Sequence, residues 1–186
     1  SSQIITIIAL LIVNAFFAAS EMAIISANHV KLDLLIAEGN KKAILVKKLQ
    51  ENETKLLSTI QVGITLAGFF SSATAASSLS DILADAIGIP TEISIIVITL
   101  ILSYFTLVLG ELFPKRLALR SPEKVAMTFA MPISIIKTIS RPIVFILSLS
   151  SDLLTKLFGI KDKDDDSITE DEIKAMISSG VDAGTI

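Results

Sequence analysis

The sequence predicts an all-α membrane protein with three transmembrane helices. All 16 Lys and Arg residues lie in 31–55 or from Lys115 onward, so two long apolar stretches, 1–30 and 56–114, carry no basic side chain. A basic side chain at the bilayer centre costs about 2.5–3.5 kcal/mol on insertion scales, which makes these stretches the candidate spans. Since basic residues collect on the cytoplasmic side, we expect 31–55 and the segment after Lys115 inside, and the acidic turn at Asp81–Glu92 outside.

Composition excludes several function classes. The chain is 52% hydrophobic, has a formal net charge of −3 and contains no cysteine. It lacks the basic patches with interleaved aromatic residues that bind nucleic acid. Without cysteine, and with His29 as its single histidine, it cannot build a thiolate or His-rich zinc site. No nucleophile, phosphate loop or metalloprotease motif accompanies its acidic residues, so we do not expect an enzyme.

The first span is predicted over 4–27, because about 20 apolar residues cross a bilayer as a helix. Its N-terminal end is expected outside. The segment 28–55 that follows mixes lysines with leucines and is divided by Gly39–Asn40. We interpret it as two short amphipathic helices on the cytoplasmic face, with lysines reaching toward lipid headgroups. The alternative is a solvated connector.

The second and third spans are predicted over 56–87 and 93–113, with a turn at Gly88–Pro90 between them. The second span is longer than a perpendicular crossing needs, and its outer part, Ser71–Ser80, reads SSATAASSLS. Small residues let helices pack closely in lipid. We therefore expect this span to lie inside a helix bundle or at a dimer interface.

The sequence after the third span is less uniformly apolar. Residues 125–160 are interrupted by prolines and charged side chains. We interpret 142–160 as an interfacial belt helix that completes a transmembrane domain over 1–160, and a fourth span is the alternative. Residues 161–186 are expected to begin an acidic cytosolic helical region, in which Thr169–Glu172 has the spacing of a capping box.

The sharpest local feature is a glycine, a glutamate and a proline at the end of the third span. Pro114 has no N–H, so the carbonyl of Gly110 loses its helical partner next to the Glu111 carboxylate. Broken helices at membrane depth bind ions in this way in transporters. The alternative is a kinked helix end in which Glu111 pairs with Lys115 or Arg116.

A second polar group lies in the first span. Glu21 is about two helical turns from the inner end, and an ionisable residue at such a depth is a functional candidate by default. Ser20 offers an oxygen ligand beside it. The alternative is a carboxylate that is neutral, or that bonds to a neighbouring helix and serves packing.

The third polar group is Thr59, Gln61 and Thr65, near the inner end of the second span. Taken alone, Ser and Thr in a membrane helix usually bond to their own backbone. However, all three groups lie in the inner part of their spans, and together they offer carboxylate, hydroxyl, amide and carbonyl oxygens. That set suits Mg²⁺, Ca²⁺, Mn²⁺ or Na⁺ and argues against Zn²⁺ or Cu⁺.

Three motifs together resemble the transmembrane domain of the CNNM/CorC family of magnesium transport proteins. They are FFAASEMAIIS at 16–26, TIQVGITLAG at 59–68 and GELFPK at 110–115. The resemblance implies a three-span domain with a cytoplasmic belt helix, paired as a homodimer in the plasma membrane of a prokaryote. It also implies Na⁺-coupled Mg²⁺ efflux by alternating access. A non-transporting module that senses Mg²⁺ or regulates another transporter is the alternative.

The same resemblance implies a ligand set. The matching residues are Ser20, Glu111, the carbonyl of Gly110 and, beside them, Thr59. Many relatives carry Asn where this chain has Ile64, so Gln61, Thr65 or water would supply that oxygen. The residues that would support the site or couple it to movement are Glu21, Thr65, Pro114 and Lys115. The ATP-binding CBS modules common in the family lie outside this sequence, so we expect Mg²⁺ and Na⁺ as ligands and no nucleotide site.

Overall fold

The computed structural model describes residues 2–158, and every regular element within them is a helix. The predicted all-α fold is therefore confirmed. The predicted acidic region 161–186, its capping box and the last residues of the belt helix lie outside the described residues. The helices are α1 (Ser2–Ser26), α2 (His29–Ala37), α3 (Lys41–Gln50), α4 (Glu53–Ile87), α5 (Thr91–Leu107), α6 (Phe113–Ala118), α7 (Pro122–Ile139) and α8 (Arg141–Leu157), with a π-helical turn at Val108–Leu112 between α5 and α6.

Within residues 2–158, three stretches are long and apolar enough to cross a membrane, as the sequence predicts. They are Ser2–Ser26, Glu53–Ile87 and the continuous stretch Thr91–Ala118, which comprises α5, the π-turn and α6. Large apolar side chains such as Phe69, Phe70 and Leu100 are exposed along them, as suits helices whose solvent is lipid. The third stretch does not end at Pro114, because the helix continues through the π-turn into α6, which contains this proline.

Asparagine caps and glycines lie at the ends of α2, α3 and α4. The side chain of Asn28 accepts hydrogen bonds from the first backbone N–H groups of α2, and Asn40 does the same for α3. Gly39, with φ of +86°, and Gly88, with φ of +73°, adopt the left-handed conformation that ends α2 and α4. The divided segment between the first two spans is therefore two helices, as predicted.

The helices up to Phe145 form one compact unit, with α1 at its centre. α1 packs against α4, α6, α7 and the π-turn. The apolar core lies at the end of the bundle that carries α2 and α3, where α1, α4 and α7 meet. Its fully buried large side chains include Ile24, Leu32, Leu56, Ile60 and Ile133. At the other end the buried Ser94 hydroxyl donates to the Ser80 carbonyl at 2.7 Å, which joins α5 to α4.

The chain enters its second compact unit within α8. α8 is amphipathic, since Ile143, Ile146, Leu147 and Leu154 recur at helical spacing and polar side chains occupy the other face. That pattern favours a helix lying in the membrane interface. Taken as a bent pair, α7 and α8 also meet the length and composition of one further span, so the belt helix over 142–160 stays a prediction.

Candidate cation site

The π-helical turn at Val108–Leu112 is the structural centre of the candidate site. At its end the N–H of Phe113 donates to the carbonyl of Val108, five residues back, instead of four. Pro114 follows at once and is buried. Because proline has no N–H, an ordinary helical register would lose a hydrogen bond here. Single π-turns inside helices occur frequently at functional sites, and this one contains Gly110 and Glu111.

The Gly110 carbonyl has a partner on another helix. Asn14 of α1 is 2% exposed, and its Nδ2 donates to the Gly110 oxygen at 3.3 Å. The two helices are close at this point, because a Cβ added at Gly110 would lie 3.0 Å from Leu11 Cδ1 and 3.1 Å from Asn14 Nδ2. Asn14 is not among the predicted site residues, although a lone amide in an apolar span is a signal that could have identified it.

The carboxylates of Glu21 and Glu111 are joined by one lysine. Lys115 Nζ lies 3.1 Å from Glu21 Oε2 and 3.1 Å from Glu111 Oε1. All three side chains are partly shielded from solvent. Of the two arrangements left open for Glu111, the structure has the pair with Lys115, four residues along the helix. It also brings in Glu21 from α1, so the bridge ties α1 to α6.

The hydroxyls of Ser20 and Thr59 are buried and bonded to their own helices. Ser20 Oγ donates to the Phe16 carbonyl at 2.6 Å, and Thr59 Oγ1 donates to the Lys55 carbonyl at 2.7 Å. The backbone-bonding alternative considered for Thr59 is therefore what the structure has. Each hydroxyl oxygen keeps lone pairs that could accept a hydrogen bond or bind a cation.

Of the other two predicted polar residues of α4, Thr65 lines the same groove as Glu111, and Gln61 does not. Gln61 is exposed, and its amide donates to Thr65 Oγ1 at 3.5 Å, its one hydrogen-bond partner among the described residues. Thr65 lines a groove of about 490 Å³ between α4 and the third span, together with Glu111. Further polar groups on this groove are Ser72, Ser103 and Thr106, and Ile64 forms part of its apolar wall. The structure thus brings Thr65 and Glu111 to one groove, whereas Gln61 is not part of its lining.

A glycine contact sets the approach of α4 to α1. The ring of Phe17 packs on Gly63, where an added Cβ would lie 2.5–2.8 Å from three ring carbons. Any larger residue at this position would force the Phe17 ring or the helices to move. Gly63 therefore lets the second span lie close to the first at the level of the polar residues.

The chemistry of the site follows from its charges and its oxygens. Within residues 2–158 no three His, Cys, Asp or Glu side chains form a cluster that could hold a metal ion. The acidic groups are the two carboxylates around Lys115, and Asn14 adds a buried amide oxygen that has no hydrogen-bond partner among the described residues. Such an arrangement can hold a hard cation or a primary ammonium, through oxygen atoms.

Comparison with known proteins gives a consistent family. The family model described as cyclin M transmembrane N-terminal domain (CNNM) matches residues 4–186. UPF0053 protein sll0260 of Synechocystis sp. is 38% identical over 99% of this chain, and the match covers 43% of that relative. UPF0053 protein YhdP of Bacillus subtilis is 33% identical over 99% of this chain and 44% of the relative.

A more distant relative has a functional name. The polyamine export protein of Haemophilus influenzae is 26% identical over 98% of this chain, and the match covers 44% of its length. The chain thus spans less than half the length of these three relatives.

Proposed function

We propose, because this chain belongs to the CNNM transmembrane domain family, that it is the membrane part of a Na⁺-coupled Mg²⁺ efflux transporter. The family, the three spans and a relative named as an exporter support a transport function. We further propose that the protein is a homodimer in the plasma membrane of a prokaryote. Its N-terminus would be outside and α2 and α3 would lie on the cytoplasmic side, following the distribution of basic residues.

The observation that carries this proposal is the position of Glu111. Its carboxylate belongs to a π-turn inside an apolar span and lines a groove with several hydroxyls. Ionisable residues inside transmembrane segments are rare, and they commonly mark the path of an ion or substrate. In the proposed mechanism, Glu111 and Ser20 take the ion from water on the inner side. A shift of the helices then opens the site outward, and inward Na⁺ flow supplies the energy.

The remaining predicted ligands would complete the site. The Gly110 carbonyl uses one lone pair for Asn14, which leaves the other for an ion. Thr59 and Ser20 would contribute hydroxyl oxygens. Because Ile64 offers no oxygen, Thr65 or water would take that place, and Mg²⁺ commonly keeps several of its waters in proteins.

Transport by reconstituted protein tests the proposal. Proteoliposomes are loaded with Mg²⁺ and placed in Na⁺ buffer, and Mg²⁺ loss is followed for the wild type, Glu111→Gln and Glu111→Ala. We expect both variants to lose Na⁺-dependent efflux. Glu92→Gln is the matched control, since Glu92 is an exposed glutamate at the start of α5, and it should transport normally.

Two outcomes would contradict the transport proposal. Wild-type efflux from Glu111→Ala would show that the site is assigned wrongly. If the wild-type protein binds Mg²⁺ but gives no flux, the alternative of a sensing or regulatory module is correct.

A second candidate function is export of a small polyamine. The Lys115 ammonium lies 3.1 Å from both carboxylates, so the geometry already suits a primary ammonium. The Haemophilus relative bears the name of a polyamine exporter. The same proteoliposomes, loaded with radiolabelled putrescine, distinguish the candidates. Saturable putrescine efflux that Glu111→Gln abolishes would favour the polyamine, and its absence alongside Mg²⁺ efflux would favour the metal ion.

A further inference from the structure

The Lys115 side chain occupies the place between the two carboxylates that a bound cation would take. Its Nζ donates to Glu111 Oε1 at 3.1 Å and forms an ion pair with Glu21 Oε2 at the same distance. Charge-assisted contacts of this kind are among the stronger polar interactions in proteins. The three groups come from separate elements: Glu21 from α1, Glu111 from the π-turn and Lys115 from α6.

The charge balance opposes the presence of a divalent ion beside this ammonium. Two carboxylates and one ammonium leave a single negative charge. If a divalent ion joined all three, the group would carry an excess positive charge in a partly dehydrated position, where uncompensated charge is costly. If the ammonium leaves, the two carboxylates balance the divalent ion. Binding of the ion and departure of the ammonium are therefore favoured together.

No other basic group among the described residues takes the role of Lys115. The next residue, Arg116, is exposed and has no ion pair within residues 2–158. The other lysines with ion pairs among the described residues form them elsewhere: Lys31 pairs with Glu123 and Lys47 with Asp33. The cation that the described residues supply to Glu21 and Glu111 is thus Lys115.

We propose that Lys115 is a resident competitor for the transported cation, an affinity-determining residue whose ammonium neutralises Glu21 and Glu111 until the ion displaces it. This inference rests on the proposed function of the same site. It gives Lys115 two effects. The ammonium weakens binding of every cation that needs these carboxylates, and its departure breaks the bridge between α1 and α6.

Equilibrium binding to charge-neutral variants is the first test. We measure binding of Mg²⁺ alone to the purified protein by titration calorimetry, for the wild type, Lys115→Met and Arg116→Met. Lys115→Met is expected to bind Mg²⁺ about tenfold more tightly, because no ammonium has to be displaced. Arg116→Met is the matched control and should bind like the wild type. Lys115→Arg retains the competing charge and should show no gain.

Amine labelling of the wild type is the second test and needs no variant. An amine-reactive ester is applied with and without Mg²⁺, and labelling of each lysine is measured by peptide mass spectrometry. Mg²⁺ is expected to raise the labelling rate of Lys115 several-fold, because its amine is released from the carboxylates. Lys124, an exposed lysine on α7, is the internal control and should not change.

The outcomes separate this inference from the proposed function. If the wild type binds Mg²⁺ but labelling of Lys115 is unchanged and Lys115→Met gains no affinity, the inference is overturned and the transport proposal stands. If neither the wild type nor Lys115→Met binds Mg²⁺, both are overturned. Tighter binding by Lys115→Met, or faster labelling of Lys115 in Mg²⁺, supports the inference. A loss of affinity in Lys115→Met would show that the lysine assists binding, which also overturns it.

Discussion

Asn14 and Gly110 are joined across two transmembrane helices by a hydrogen bond of 3.3 Å from the amide Nδ2 to the carbonyl oxygen. The opposite orientation of the amide would place two oxygen atoms against each other, so the direction of this bond follows from chemistry. It leaves Asn14 Oδ1 buried without a partner among the described residues. An unsatisfied buried acceptor costs about 1–3 kcal/mol, which makes this oxygen available to a water molecule or an ion.

We expect Asn14→Leu to weaken Mg²⁺ binding more than it weakens the fold. The substitution removes the hydrogen bond that holds the Gly110 carbonyl, so the π-turn and its Glu111 carboxylate lose a support. It also removes the unpartnered Oδ1 and buries an apolar side chain, so the free energy of unfolding should change by less than about 1 kcal/mol. Calorimetric Mg²⁺ binding and thermal unfolding of the same samples check this. Unchanged affinity would show that the turn needs no support from α1.

We expect Gly63→Ala to destabilise the protein by about 1–3 kcal/mol, because overpacking a close contact forces side chains or backbone to move. The new Cβ would lie 2.5–2.8 Å from the ring of Phe17. In the double variant with Phe17→Leu, the smaller side chain makes room, so the combined loss should be smaller than the sum of the two single losses. Thermal unfolding measures all three variants. Gly68→Ala is the control, since a Cβ there meets nothing within 4 Å.

We expect Gln50→Leu to lower the free energy of unfolding by about 1–3 kcal/mol. Gln50 Nε2 donates to the carbonyls of Ile24, at 2.7 Å, and Ala27, at 2.9 Å, and so satisfies two acceptors at the end of α1. Leucine keeps a similar volume and leaves both carbonyls without this donor, whereas it removes one unpartnered acceptor, Gln50 Oε1, which is buried without a hydrogen-bond partner among the described residues. Gln61→Leu serves as a comparison, because the Gln61 side chain is exposed and should contribute little to stability. Equal losses in the two variants would contradict the capping role.

We expect acid to release a contact between α7 and the start of α2. A hydrogen bond from its own backbone N–H lowers the pKa of Glu123, and partial burial opposes this by raising it. The Asn28 N–H and the Lys31 ammonium, 3.3 Å away, lower the pKa further. Because the folded pKa lies below the ordinary glutamate value of about 4.3, the contact stabilises the protein at neutral pH. That contribution is lost as pH falls through the folded pKa.

Thermal unfolding between pH 7 and pH 3 checks the expectation for Glu123. The wild type should lose stability below about pH 4.3, and part of that loss should be absent in Glu123→Gln. Identical pH profiles for the two proteins would show that the contact contributes no pH dependence.

The sequence predicts the spans well, because the pattern that defines them is local. The absence of basic residues from 1–30 and 56–114 marks the three apolar stretches, and Gly39–Asn40 marks the division between α2 and α3. The sequence also offers the ion pair of Glu111 with Lys115 as one of the two arrangements considered for Glu111, because residues four apart lie on the same helix face.

The rest of the site depends on contacts between distant residues. Pro114 predicts a carbonyl without a helical partner, but no local pattern shows that Asn14, 96 positions away in the sequence, donates to it. The same holds for Glu21, which reaches Lys115 only because α1 packs against α6. The π-turn lets the helix continue although Pro114 has no N–H to donate. The helix propensities of single residues do not predict such a turn.

The length of α4 links the protein to the thickness of its bilayer. Its 35 residues span about 52 Å at 1.5 Å per residue, whereas a typical hydrocarbon layer measures about 30 Å. The helix must therefore lean or project beyond the acyl chains. Since α1 packs along it, short-chain and long-chain phospholipids would favour different inclinations of the pair, and the proposed transport rate would vary with the lipid chosen for reconstitution.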